Sequence, residues 1–152
     1  MNDHDKTSDN TKPEENKFVE NIIPANEASN NFKLLKILIA EDDEISALFL
    51  TTVIKKLSRE VLYAETGVEA IEVCRNNPDI DLVLMDIKMP VLNGYEATKQ
   101  IRNFNKVVII FAQTAQALTG DREKAIMAGC NDYISKPILS DKLQALIQKY
   151  FK

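Results

Sequence analysis

Five short apolar runs, interleaved with stretches of helical periodicity, constrain this chain more than any other feature of it. The runs are Lys36–Ala40, Val61–Ala64, Leu82–Met85, Val107–Phe111 and Tyr133–Ile134. The longer ones are continuously apolar, as strands buried on both faces of a parallel sheet must be. Between them the spacing predicts helices over about Glu44–Leu57, Val68–Asn76, Gly94–Asn103, Thr119–Ala128 and Ser140–Phe151. Boundary residues agree. Thr66 with Glu69 forms a capping-box pattern, Asn93-Gly94 marks the turn into the third helix, and Gly129 stands where a left-handed terminator would end the fourth.

Strands and helices alternating five times make a (βα)5 chain. Right-handed crossovers then place helices on both faces of a doubly wound, five-stranded α/β sheet, expected in the flavodoxin-like order 2-1-3-4-5. Such sheets act at the carboxyl ends of their strands, near the point where strand order reverses. Strand one ends in Glu41-Asp42-Asp43-Glu44, strand three in Asp86, strand four leads to Thr114, and strand five leads to Lys136-Pro137. Crowded carboxylates repel unless a cation neutralises them, and hard oxygen donors suit Mg²⁺ or Mn²⁺. A carboxylate nucleophile, a hydroxyl donor and an ammonium beside such an ion are the parts that phosphoryl transfer needs.

On these residues the chain resembles the response-regulator receiver domains of two-component signalling, most of all the receivers of hybrid histidine kinases. The likeness is carried by Ile37–Glu44 (ILIAEDDE), Leu82–Gly94 (LVLMDIKMPVLNG) and Gly129–Ile138 (GCNDYISKPI) and runs from about Leu35 to Phe151. It implies that Asp86 is the phosphoacceptor. Glu41 and Asp42, with Asp86 and the backbone carbonyl of Lys88, would hold the metal. Thr114 and Tyr133 would form the switch, and Lys136, before a cis bond to Pro137, would pair with the phosphoryl group. Lys88 and Gln116 would tune its lifetime. Asp43 adds a third acid beside the metal pair, which leaves the choice among those neighbours open.

The resemblance further implies phosphorelay: transfer from a partner phosphohistidine to Asp86, followed by a change in the face built from the fourth helix, fifth strand and fifth helix. The partner would be a histidine kinase dimerisation domain or a histidine phosphotransfer protein. On a helical projection of the first helix, Ile45, Phe49 and Val53 share one face, assigned to the core. Leu50 and Ile54, with Ala47 beside Ile54, are assigned to partner docking, as is Pro137. The alternative reading is a receiver fold that signals by binding alone, independently of phosphorylation. No kinase catalytic domain is expected in the chain, although the site should promote its own phosphorylation and dephosphorylation.

Residues 1–34 read as a polar tail or linker, and residues 35–152 as the receiver domain. The tail fits a linker from an upstream kinase, which would make this the C-terminal receiver of a hybrid sensor histidine kinase, and no output domain is expected after the fifth helix. Residues 1–32 hold seven acids against three lysines. Subtracting them from the 23 acids and 19 bases of the chain leaves 16 of each, so the net charge of -4 resides in the tail. A balanced domain has no basic field for nucleic acid. No apolar run is long enough to span a bilayer or to form a signal peptide, and a cytoplasmic location is expected. The single histidine, His4, lies in the tail, and the two cysteines, Cys74 and Cys130, lack metal-ligand spacing.

Overall fold

The structure, a computed structural model, describes residues 33–115 and 120–152. Its elements run β1 (Leu35–Ala40), α1 (Glu44–Ile54), β2 (Ser58–Ala64), α2 (Gly67–Asn76), β3 (Leu82–Asp86), α3 (Gly94–Arg102), β4 (Ile109–Thr114), α4 (Asp121–Ala128), β5 (Asp132–Ser135) and α5 (Ser140–Tyr150), with a 3-10 turn over Lys55–Leu57 after α1. All neighbouring strands are parallel, in the order β2-β1-β3-β4-β5. The expected doubly wound architecture is therefore present.

Strand alternation divides the interior into two cores. On one face Leu38, Val83, Met85, Ile110 and Ala112 meet Ile71 of α2, Ala97 and Ile101 of α3 and Ala125 of α4. On the other, Ile37, Ile39, Leu84 and Phe111 meet Leu50 and Ile54 of α1 and Leu143 and Ile147 of α5. Every residue of β1 and β3 is buried. Each large aliphatic side chain so enclosed contributes about 1.5–3 kcal/mol relative to exposure.

The helix ends follow local chemistry. Asp43, Thr66 and Asn93 cap α1, α2 and α3 by accepting hydrogen bonds from the N–H groups of Ser46, Glu69 and Glu96. The return bond of the capping box falls one residue early: Glu69 Oε2 accepts from the N–H of Glu65. Gly129 ends α4 at φ 112°. At the amino edge of the sheet the buried Lys36 ammonium is held by Asp79 Oδ1 at 2.9 Å, Asn77 Oδ1 at 3.1 Å and Glu60 Oε1 at 3.6 Å.

Two boundaries depart from the sequence reading. β4 spans Ile109–Thr114 instead of Val107–Phe111, because Val107 is 84% exposed and the strand continues through Gln113 and Thr114. The first helix stops at Ile54, where the chain tightens into the 3-10 turn.

Candidate functional site

The loops at the carboxyl edge of β1, β3, β4 and β5 bring the strand-end residues together. Carboxylate oxygens of Glu41, Asp42 and Asp86 lie within 4.8 Å of one another. Glu41 and Asp86 are each 4% exposed, whereas Asp42 faces solvent, so the cluster is closed behind and open in front. Lys136 Nζ reaches Glu41 Oε2 at 3.3 Å and Asp86 Oδ1 at 3.4 Å. The Lys88 N–H donates to Asp86 Oδ1 at 3.2 Å, and the Lys136 N–H donates to the Thr114 carbonyl at 2.7 Å.

Burial and charge crowding shift the pKa values of these groups. Burial, and then the neighbouring Asp86, push the Glu41 carboxyl up to about 7, against the pull of Lys136. Burial draws the Lys136 ammonium down, but Asp86 and Glu41 outweigh it and hold its pKa above the ordinary lysine value. Asp43 has a different occupation. Its carboxylate accepts from Ser46 N at 2.9 Å and Ser46 Oγ at 2.7 Å, bonds that hold its pKa low. The acid left open among the neighbours in the sequence is thus engaged as the α1 cap. Three hard oxygen donors with one exposed side, and a buried carboxyl whose ionised form is disfavoured, fit a divalent oxygen-seeking cation such as Mg²⁺.

Thr114 is buried beside this cluster, and its Oγ1 has no hydrogen-bond partner among the described residues. Tyr133, half-buried on β5 in register with Ala112, packs against the α2–α4 core. The Lys136-Pro137 bond is cis. The loop after Asp86 is shaped by two backbone features. The Leu92 N–H donates to the Pro90 carbonyl at 2.8 Å around Val91, whose φ is 71°, which makes a γ-turn with a left-handed centre. The Gly67 N–H donates to the Leu92 carbonyl, and a Cβ at Gly67 would come within 2.3 Å of that oxygen. Gln116, expected to tune the phosphoryl lifetime, lies outside the described residues, as do residues 1–32 of the tail.

The docking face assigned to α1 requires correction. Leu50 and Ile54 are 1% and 0% exposed and belong to the core, and Ala47 is half-buried against the same core. Ile45 is 78% exposed and Phe49 43%. The helix carries apolar residues nearly all round, so projection alone could not decide which stripe meets the sheet. The Leu50–Val53–Ile54 stripe won because it lies over Ile37, Ile39 and Phe111. Pro137 remains exposed, at the rim of the groove that Ile45 and Phe49 border. Gln113, one residue before Thr114, escapes a sequence reading that ends the fourth apolar run at Phe111. A polar residue inside the extended run Val107–Thr114 is the available signal.

These features define a class: a doubly wound α/β domain with an acidic pocket at the carboxyl edge of the sheet. Comparison with known proteins narrows it. The family described as "Response regulator receiver domain" matches residues 37–148, and the chain belongs to that family. It is 40% identical over 121 residues to hybrid signal transduction histidine kinase G of Dictyostelium discoideum, covering 76% of this chain and 4% of that kinase. The receiver domain of sensor histidine kinase PA1611 from Pseudomonas aeruginosa, crystallised with magnesium in its active-site cleft, matches at TM-score 0.70 and 36% identity over 78% of this chain and 98% of that one. The receiver domain of Ssk1, crystallised with the histidine phosphotransfer protein Ypd1 of Saccharomyces cerevisiae, belongs to a complex that matches at TM-score 0.69 and 36% identity over 79% and 88%. The chain is thus a receiver domain of the two-component phosphorelay type, and it spans a small fraction of the length of its hybrid-kinase relative. Among the described residues no helix is long and apolar enough to cross a membrane.

Proposed function

We propose that Asp86 accepts a phosphoryl group from a partner phosphohistidine. The observation that carries this is the convergence of Glu41, Asp42 and Asp86 within 4.8 Å, with Lys136 bridging Glu41 and Asp86. Mg²⁺ or Mn²⁺, held by those three carboxylates and the Lys88 carbonyl, would neutralise charge on the transferring group and its acceptor. The Asp86 carboxylate attacks phosphorus, the phosphorus–nitrogen bond breaks, and the imidazole leaves with the electron pair. Lys136 then exchanges part of its pairing with Asp86 for a phosphoryl oxygen.

The unpartnered Thr114 hydroxyl supplies a donor to another phosphoryl oxygen, and Tyr133, adjacent on β5, turns into the space this frees. The face formed by α4, β5 and α5 is then biased towards its active arrangement. Lys88, whose N–H donates to Asp86, and Gln116 set how long the phosphoryl group survives. The magnesium-bound PA1611 receiver supports the metal reading, and the Ypd1 complex supports a histidine phosphotransfer protein or a kinase dimerisation domain as donor. The donor helix would lie over exposed Ile45 and Phe49 and against Pro137, next to Lys136. The likeness to a hybrid kinase supports a place as the receiver of a hybrid sensor histidine kinase. Residues 35–152 would form that domain, in the cytoplasm.

The deciding measurement is intact mass after incubation with acetyl phosphate, with and without Mg²⁺, for the wild type and Asp86→Ala. One added phosphoryl group that needs both the metal and Asp86 is the expected result. No adduct, together with no beryllofluoride binding, would instead make this a module that signals by binding alone.

A further inference from the structure

Two consecutive residues at the end of β4 carry buried side-chain polar atoms with no hydrogen-bond partner among the described residues: Gln113, at both Oε1 and Nε2, and Thr114 at Oγ1. Strand alternation sends the two side chains to opposite faces of the sheet. Thr114 borders a cavity of about 200 Å³ that Lys88 and Tyr95 also line, and an incoming phosphoryl group accounts for its free hydroxyl. Gln113, 1% exposed, faces the other way, and no residue of the acceptor cluster bonds its side chain.

What Gln113 faces is an open apolar groove of about 650 Å³ between the start of α1 and the loop from β5 to α5. Ile45, Phe49, Leu50, Lys136, Pro137 and Ile138 wall it. A buried amide without partners is costly, and a leucine would fill similar space without that cost. Stability of the free protein therefore does not explain a glutamine here. A carboxamide presents one acceptor and one donor side by side, and its reciprocal match is another carboxamide or a peptide group. A carboxylate could only accept and an ammonium could only donate. The exposed Ile45 and Phe49 at the mouth demand that such a group arrive on an apolar stem.

We propose that Gln113 makes this groove a recognition pocket for a neutral carboxamide, the Asn or Gln side chain projected by the helix of the docking partner. The inference rests on the docking surface proposed above and adds polar discrimination to an otherwise apolar contact. A partner with an apolar or charged side chain at that point would leave Gln113 buried and unpaired, which is how a site rejects the wrong occupant.

The experiment compares the wild type with Gln113→Leu in three measurements. The variant should melt about 3 °C or more above the wild type, because two orphaned polar atoms are gone. In an NMR titration followed at the amides of Ile45, Phe49 and Ile138, benzamide should bind the wild type about fivefold or more tightly than toluene, and the variant should lose that preference. Both proteins should take a phosphoryl group from acetyl phosphate with Mg²⁺, which reports on the acceptor chemistry separately from the groove. An unchanged or lower melting temperature would mean that the amide is already satisfied in the free protein and would overturn the proposal. Equal binding of benzamide and toluene to the wild type, or no saturable binding of benzamide, would overturn it as well.

Discussion

Replacing Asp86 by asparagine should make the metal-free protein more stable while abolishing the phosphoryl acceptance proposed for it. Glu41 is 4% exposed, and its carboxyl is held near 7 instead of its ordinary 4.5, by burial first and by Asp86 second. At about 1.4 kcal/mol for each tenfold change, ionising it in the folded protein costs about 3 kcal/mol. Burial persists in the Asp86→Asn variant, so roughly 1–2 kcal/mol is recoverable, or about 5 °C in melting temperature. Lys136 keeps Glu41 as an ion-pair partner at 3.3 Å, which limits the loss on the other side. The sign with pH follows from linkage. The unfolded chain releases the Glu41 proton near 4.5, and the folded protein keeps it until about 7. Stability from this group is therefore fully present below 4.5 and declines as pH rises through 7. Thermal unfolding of both proteins between about pH 5 and pH 8, in chelator and in Mg²⁺, measures this. The wild type should lose stability across that range in chelator and recover it in Mg²⁺, whereas the variant should be flatter and respond weakly to the metal. A variant less stable than the wild type above pH 7 in chelator would refute the reasoning.

Leu50→Ala should cost about 2–5 kcal/mol in urea denaturation, and Ile45→Ala less than about 0.5, since one is core and the other exposed. Gly67→Ala should destabilise by about 1–3 kcal/mol, because the new methyl would meet the Leu92 carbonyl oxygen at 2.3 Å. Val91→Gly should raise stability by up to about 1 kcal/mol in the same assay, relief of a β-branched residue at φ 71° being partly offset by the freer unfolded chain. Lys136→Met should move the Glu41 carboxyl further above 7, read by NMR titration, and should prevent lasting phosphorylation by acetyl phosphate in the intact-mass assay.

Much of the fold was legible because β1 and β3 are buried on both faces, so their sequences are apolar through Ile37–Ala40 and Leu82–Met85. The strand-end acids and Lys136 could be located from the same pattern, since parallel topology dictates that the ends of β1, β3 and β5 meet. Three things were not legible. The role of Asp43 depended on whether its carboxylate turned to the pocket or to Ser46, a choice between neighbours that spacing does not encode. The buried stripe of α1 depended on the sheet beneath it, because Ile45, Leu48 and Phe49 are as apolar as Leu50, Val53 and Ile54. Gln113 was hidden because the end of β4 is polar on both sides of the sheet, which reads as a loop until the strand is seen to continue.

The ion pair between Lys136 and Glu41 joins residues 95 positions apart. Such a contact can form only after nearly the whole domain has been synthesised and folded around its central strands. No fragment ending before β5 can assemble the charge pattern around Asp86. A nascent or proteolysed chain that still displays the acidic loop would therefore lack the site that the proposed donor requires. On the proposed function, loading of Asp86 would double as a test of completeness, because only an intact domain could take part in the transfer.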